Sequence, residues 1–192
     1  TPKPSSAASD VYKRQAYAQL VKDGKVRYIG TSNMTPERLL ESLQVSADKG
    51  FPVYQTLQPH YNLYDRANYE STVEPIALEH KLGVIPYWSL ASGFLTGKYR
   101  SAADFGKSPR GGGMEKYLDA RGHKILTALD TVAAELNTTQ AAVALAWLIH
   151  RPGITAPIVS ATSLNQLDSI IQAPQLAITP VQLELLTTES GY

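Results

Sequence analysis

The sequence predicts an α/β fold built on a parallel sheet. From about residue 16, short strand-like runs alternate with longer stretches of helical periodicity, the signature of βαβ units. The run Gly83-Val84-Ile85-Pro86-Tyr87 is apolar on both faces, as parallel strands are. The chain has 192 residues, about one domain. Four strands, each followed by helix, fit half of an eight-stranded barrel and fit an open flavodoxin-like sheet as well. The alternation alone does not decide between them.

Residues 1–15 stand apart. The first ten are Pro, Ser, Ala and charge without an apolar period, so the stretch is expected to be foreign to the fold or a disordered tail. Tyr12 and Lys13 are therefore not read as a catalytic pair. A helix ends over 16–22 and Asp23-Gly24 turns into a strand at 26–31. Thr35-Pro36-Glu37 starts a helix, with Thr as N-cap and Pro in the first turn, and Gly50 stops it. Leu39, Leu40 and Leu43 are expected on its buried face. A second strand at 53–57 precedes a helix over 69–80 with Val73, Ile76 and Leu78 inward, and 83–87 is the third strand. The long loop 91–114 carries Lys98, Arg100, Lys107 and Arg110, and loops of this length are functional or mobile. Helices follow at 116–136 and 139–150, then a fourth strand at 155–159 and a helix at 164–171. A last helix opens at Thr179 with Gln182 completing a capping box.

Composition excludes several classes. Formal net charge is +1 from 18 basic and 17 acidic residues, so no cationic field attracts nucleic acid or anionic membrane. The chain has no Cys, which removes disulfides, thiolate metal sites and a cysteine nucleophile and fits a reducing cytoplasm. No apolar run is long enough to span a bilayer. The four His residues, 60, 80, 123 and 150, show no metal-ligand spacing and are read as structural or solvated, so no metal site is expected. His80 and His150 fall near helix C-termini, where a cation is mildly favoured.

The informative residues sit at the carboxyl ends of the strands, which face the ligand crevice in parallel α/β folds. Ser32 and Asn33 offer a hydroxyl and an amide suited to a carboxamide, although a plain strand-end turn explains them equally. Gln58 ends the second strand and can pair with an amide through donor and acceptor. Tyr87 and Trp88 close the third strand, where a ring can stack on a flat heterocycle. Ser89, Leu90, Ala91, Ser92 and Gly93 follow, small enough in part for backbone N–H groups to approach a pyrophosphate, with Lys98 as counter-charge. Core packing beside a flexible loop fits the same residues. Ser160, Ala161 and Thr162 lead into a helix start, which binds phosphate in some folds and is an ordinary N-cap in most.

Three stretches resemble one family. They are LVKDGKVRYIGTSN at 20–33, QPHYNL at 58–63 and SLASGFLTGKY at 89–99. Their order and separation are similar to the fifth to seventh strands of the aldo/keto reductases, over about residues 16–190. The resemblance implies a (β/α)8 TIM barrel, present here as an incomplete barrel of about its last four βα units. It implies NADP as cofactor: Ser32, Asn33 and Gln58 on the nicotinamide carboxamide, Tyr87 stacked on the ring, and 88–93 with Lys98 at the pyrophosphate. Ser160, Ala161, Thr162 and Gln166 then hold the adenosine end. Ser160 stands where many relatives have Gly, and Ser169 and Ile170 replace a frequent Glu-Asn, which removes polar contacts there.

In this family an Asp, a Tyr, a Lys and a His from the first four strands carry the chemistry, and no match to those strands is found here. The expectation is a parent protein that reduces aldehydes or ketones with NADPH, this chain supplying the cofactor-binding half and no catalytic residue. The alternatives are a non-catalytic NADPH-binding regulatory subunit and an inactive fragment. Open barrel edges are expected to favour self-association.

Overall fold

The computed structural model describes residues 6–108 and 110–192. Helix α1 (Ser6–Lys22) crosses the boundary expected at residue 15; residues 1–5 lie outside the described ones. Arg14 sits buried where the sequence suggested no contact with the fold. Its guanidinium donates to the carbonyls of Ser42 (3.1 Å) and Pro52 (3.3 Å) and lies 3.7 Å over the Tyr54 ring. A single amphipathic anchor of this kind leaves no periodic trace in composition.

Three strands form one parallel sheet in the order β1-β2-β3: β1 (Ile29–Ser32), β2 (Tyr54–Gln58) and β3 (Gly83–Val84). Gly30 is required where β1 crosses β2, because a Cβ there would stand 2.1 Å from Thr56 Oγ1. The third strand is shorter than expected and the fourth is reduced to one bridge, Val84 with Ile154. Residues 153–158 still run parallel to β3, through Thr155 N to Val84 O (2.8 Å) and Ile158 N to Pro86 O (2.9 Å). Pro86 and Pro157 explain the shortfall, since neither can donate to a ladder.

The helices keep their local chemistry. In α2 (Pro36–Lys49) Thr35 Oγ1 accepts from Arg38 N, and Gly50 takes φ 64° so that Phe51 N reaches Ser46 O at 2.9 Å. Leu39, Ser42, Leu43 and Ser46 form the buried face; Leu40 is exposed, one step of 100° round the helix. The segment expected as one helix over 69–80 is a wide π-turn (Tyr69–Val73) followed by α3 (Glu74–Glu79). Pro75 supplies the cause, lacking the N–H that would continue the ladder. Val73 and Ile76 point inward as expected, with Tyr69 and Ala77 beside them, whereas Leu78 points outward.

The long loop is packed rather than free. Short 3-10 turns at Ala91–Thr96, Ala102–Lys107, Gly111–Gly113 and Glu115–Tyr117 bury Phe94, Leu95, Tyr99, Met114 and Tyr117. Asp119 caps α4 (Ala120–Glu135) and Thr139 caps α5 (Gln140–Ile149), whose residues 142–148 are all buried. Ser163 caps α6 (Leu164–Gln172), and Thr179 with Gln182 forms the capping box of α7 (Pro180–Glu189). No single helix among the described residues is long and apolar enough to cross a membrane.

A buried ionic clamp joins these layers. Arg66 grips Glu70 in a fork (2.8 and 3.0 Å) and donates to Thr187 O (2.6 Å) and Ser190 Oγ (2.8 Å) on the last helix. Tyr61 OH donates to Glu70 Oε1 (2.7 Å), and Arg151 donates to Tyr61 OH (3.0 Å). The segment that follows β2 is thereby tied to α5 and α7.

Candidate functional site

The sheet brings Ser32, Asn33, Gln58 and Tyr87 to one end. Ser32 faces Gln58 in the β1–β2 register, and its hydroxyl donates to Gln58 O at 2.8 Å. Tyr87 pairs across with His60 in an isolated parallel bridge, and its hydroxyl donates to Asn33 Oδ1 at 2.8 Å. Asn33 adopts φ 54°, so it makes the strand-end turn and uses its amide as well. The turn reading of Asn33 is what the backbone shows, and its side-chain oxygen is engaged by Tyr87.

The loop beyond Tyr87 is built from unusual backbone. Trp88, Ala91 and Ser92 have φ of 54°, 47° and 57°, and Gly93 has φ 103°. Left-handed non-glycine residues are strained and concentrate at functional sites. Within this loop Ala91 N donates to Trp88 O (2.7 Å) and Gly93 N to Leu90 O (2.8 Å), so the turns close on themselves. A Cβ on Gly93 would lie 3.5 Å from Lys98 Nζ, so glycine leaves the backbone open beside that ammonium.

Other residues singled out by sequence are occupied differently. Ser89 is buried and its hydroxyl donates to Pro86 O (3.1 Å) and Ile158 O (3.0 Å), which ties the loop to the 153–158 segment. Ala91 is buried too and offers no side chain to a ligand. At the start of α6, Gln166 Oε1 accepts from Thr162 N (2.8 Å) and Thr162 Oγ1 (3.1 Å), so this side chain closes its own turn. Ser160 and Thr162 are exposed beside it.

Sequence reasoning missed His60, Asn62 and Asp65. His60 Nε2 lies 3.0 Å from Asp65 Oδ2, and the imidazole stacks on Tyr87 with centroids 5.5 Å apart at 17°. His60 lies two residues past the end of β2 and meets Tyr87 only through an isolated bridge, a pairing no local pattern announces. Asp65 is held below the usual carboxylate range; burial alone would raise it, but hydrogen bonds from His60 and Asn62 outweigh that. Among the described residues no group of three or more His, Asp or Glu is placed to hold a metal ion.

Polar and aromatic groups at the carboxyl ends of adjacent parallel strands, beside a strained loop with a lysine, mark the candidate site of this α/β protein. The chain belongs to the aldo/keto reductase family, whose model matches residues 2–188, further back than the 16–190 of the motif resemblance. It is 32% identical over 174 residues to "Uncharacterized oxidoreductase YrpG" of Bacillus subtilis, covering 90% of this chain and 51% of that one. It is 28% identical over 164 residues to an L-glyceraldehyde 3-phosphate reductase of Escherichia coli (82% and 47%). It is 27% identical over 181 residues to "Probable voltage-gated potassium channel subunit beta" of Arabidopsis thaliana (88% and 54%). The chain spans about half the length of the curated relatives it matches.

Proposed function

We propose that residues 16–192 are the cofactor-binding half of an NADP-dependent (β/α)8 barrel that reduces aldehydes or ketones to alcohols. The observation that carries this reading is the joining of Ser32, Asn33, Gln58 and Tyr87 across three neighbouring strand ends by two 2.8 Å hydrogen bonds. The strand order supports the barrel. It runs β1-β2-β3 and on to residue 154 without the reversal that marks a doubly wound sheet.

The residues fit a dinucleotide. Asn33 and Gln58 present amides and Ser32 a hydroxyl, the donors and acceptors a carboxamide needs. The half-buried Tyr87 ring offers a face to a flat heterocycle. The Lys98 ammonium beside Gly93 suits a pyrophosphate. When bound, NADPH supplies the hydride, and the protein supplies binding and orientation. Ser32, Asn33 and Gln58 would fix the carboxamide and hence which ring face is presented. The groups that move the proton belong to strands outside this chain's match.

The test is a fluorescence titration of the chain with NADPH and NADH. Saturable binding that weakens about two- to tenfold in Asn33→Ala supports the reading, since one hydrogen bond is at stake. Absence of binding by both dinucleotides overturns it. The relatives named as channel subunits favour a second reading, a nucleotide-binding regulatory subunit. Aldehyde-dependent NADPH oxidation by the full-length protein separates the two.

A further inference from the structure

Beside the proposed ring-binding face lies a side-chain cluster with no role assigned so far. Asp65 Oδ2 receives three contacts: His60 Nε2 at 3.0 Å, Asn62 Nδ2 at 3.0 Å and Tyr117 OH at 3.3 Å. Asn62 is fully buried; it also donates to Trp88 O (3.1 Å) and accepts from Tyr64 N (2.8 Å) and Asp65 N (2.9 Å). The carboxylate is therefore fixed in place before it meets the imidazole. Held at one nitrogen, the His60 ring lies nearly parallel to Tyr87 and meets Trp88 edge-on at 5.0 Å. Tyr87 is thus pinned twice, at its hydroxyl by Asn33 and on one face by His60.

We propose that His60, locked by Asp65, is a positioning residue that sets the plane of the Tyr87 ring and so presents its opposite face to the nicotinamide. This rests on the reading of Tyr87 as the stacking ring. The physical gain is preorganisation: a ring already held by stacking and a hydrogen bond loses little freedom when a second flat group covers it. An offset aromatic contact at this spacing contributes beyond the area it buries. Lys116, whose ammonium is 6.0 Å from the Trp88 ring centroid and 4.6 Å from that of Tyr117, is the other charged group at this cluster, and it acts on Asp65 in the same sense as His60 does.

The experiment titrates NADPH into the full chain and into His60→Ala, His60→Phe and Asp65→Asn, with thermal melts to confirm folding. His60→Ala is expected to weaken binding about three- to tenfold, the worth of one stacked pair. His60→Phe, which keeps a stacking ring without the imidazole, is expected to return affinity to within about twofold of wild type. Asp65→Asn should fall between. A melting temperature unchanged in His60→Ala separates loss of binding from loss of fold. The free chain gives an independent reading. Trp88 is 53% exposed and Trp147 buried. The emission assigned to Trp88 by difference from Trp88→Phe should shift in His60→Ala, which removes the ring that meets it edge-on, and stay near wild type in His60→Phe. Unchanged or tighter binding by His60→Ala, or a Trp88 emission indifferent to His60, overturns the inference while leaving the cofactor site standing. Failure of the wild type to bind overturns the cofactor reading, and this inference with it.

Discussion

Replacing Glu70 by Ala tests whether burial, rather than geometry, gives the Arg66–Glu70 pair its strength. The molecule contains its own control. Arg66 Nε reaches Glu70 Oε1 at 2.8 Å and Arg100 Nη2 reaches Asp130 Oδ1 at 2.8 Å, and both guanidinium groups grip their carboxylates as a fork. The side chains of the first pair are 7% and 10% exposed, those of the second 42% and 50%. Removing one partner of a buried pair strands the other charge and costs about 3–5 kcal/mol. Removing one partner of an exposed pair costs about 0–1 kcal/mol, because water takes its place. Glu70 also accepts from Tyr61, so its loss leaves that hydroxyl and Arg151 without their shared acceptor. For a chain of this size 1 kcal/mol is worth about 2–4 °C, so Glu70→Ala should lower Tm by about 6–20 °C. Asp130→Ala should lower it by about 4 °C at most. Urea unfolding is the assay, with the slope m checked to be unchanged so that the midpoint reports stability. A Glu70→Ala midpoint shift no larger than that of Asp130→Ala would refute the argument from burial.

Three further outcomes are expected. Glu74 lies close to Arg151 (3.8 Å), yet its Oε1 is buried and, among the described residues, has no hydrogen-bond partner. Burial pushes its carboxyl above the ordinary Glu value, with Arg151 opposing and Glu70 reinforcing the shift. The folded chain then holds this proton more tightly than the unfolded chain, so ionisation weakens the fold as pH rises past the Glu range. Glu74→Gln should therefore raise Tm at pH 7 and leave it unchanged at pH 4; a fall at pH 7 contradicts this. Burial also raises the phenols of Tyr61, Tyr69 and Tyr117 far above their ordinary value and that of Tyr64 to about 12. These four should stay un-ionised in a spectrophotometric titration until the fold is lost. Stability should be full below about pH 10 and decline above it, where the unfolded chain releases those protons first. Finally, Leu164, Leu167 and Ile171 lie on one face of α6 and are 77%, 42% and 52% exposed. Sedimentation of the isolated chain should show concentration-dependent association that Leu164→Glu with Leu167→Glu reduces; association unaffected by both changes places the contact elsewhere.

What could be read in advance depended on how far each signal reaches along the chain. Caps at Thr35, Gly50 and Thr179 are decided within four residues, and each stands where its chemistry placed it. The strand-end groups were also legible, because a polar residue closing an apolar run is visible without knowing its neighbour. Strand length was not legible. Whether 155–159 makes a ladder depends on Pro86 of the adjacent strand as much as on its own Pro157, and a one-dimensional reading weighs only the second. Helix phase held at Leu39, Leu43, Val73 and Ile76 and missed at Leu40 and Leu78 for a related reason. Leu40 and Leu78 are apolar, but the buried faces are set by what each helix packs against, and small or hydroxyl residues such as Ser42 and Ala77 fill them. The loop after Tyr87 buries five large apolar side chains at irregular spacing, so no period betrays them. His60 combines these difficulties. Its partners are a carboxylate five residues on and a tyrosine on the next strand, and neither pairing is implied by composition or period. A histidine in this position reads as solvated until the register of two strands is known. The same register that hides it from the sequence is what places it against Tyr87.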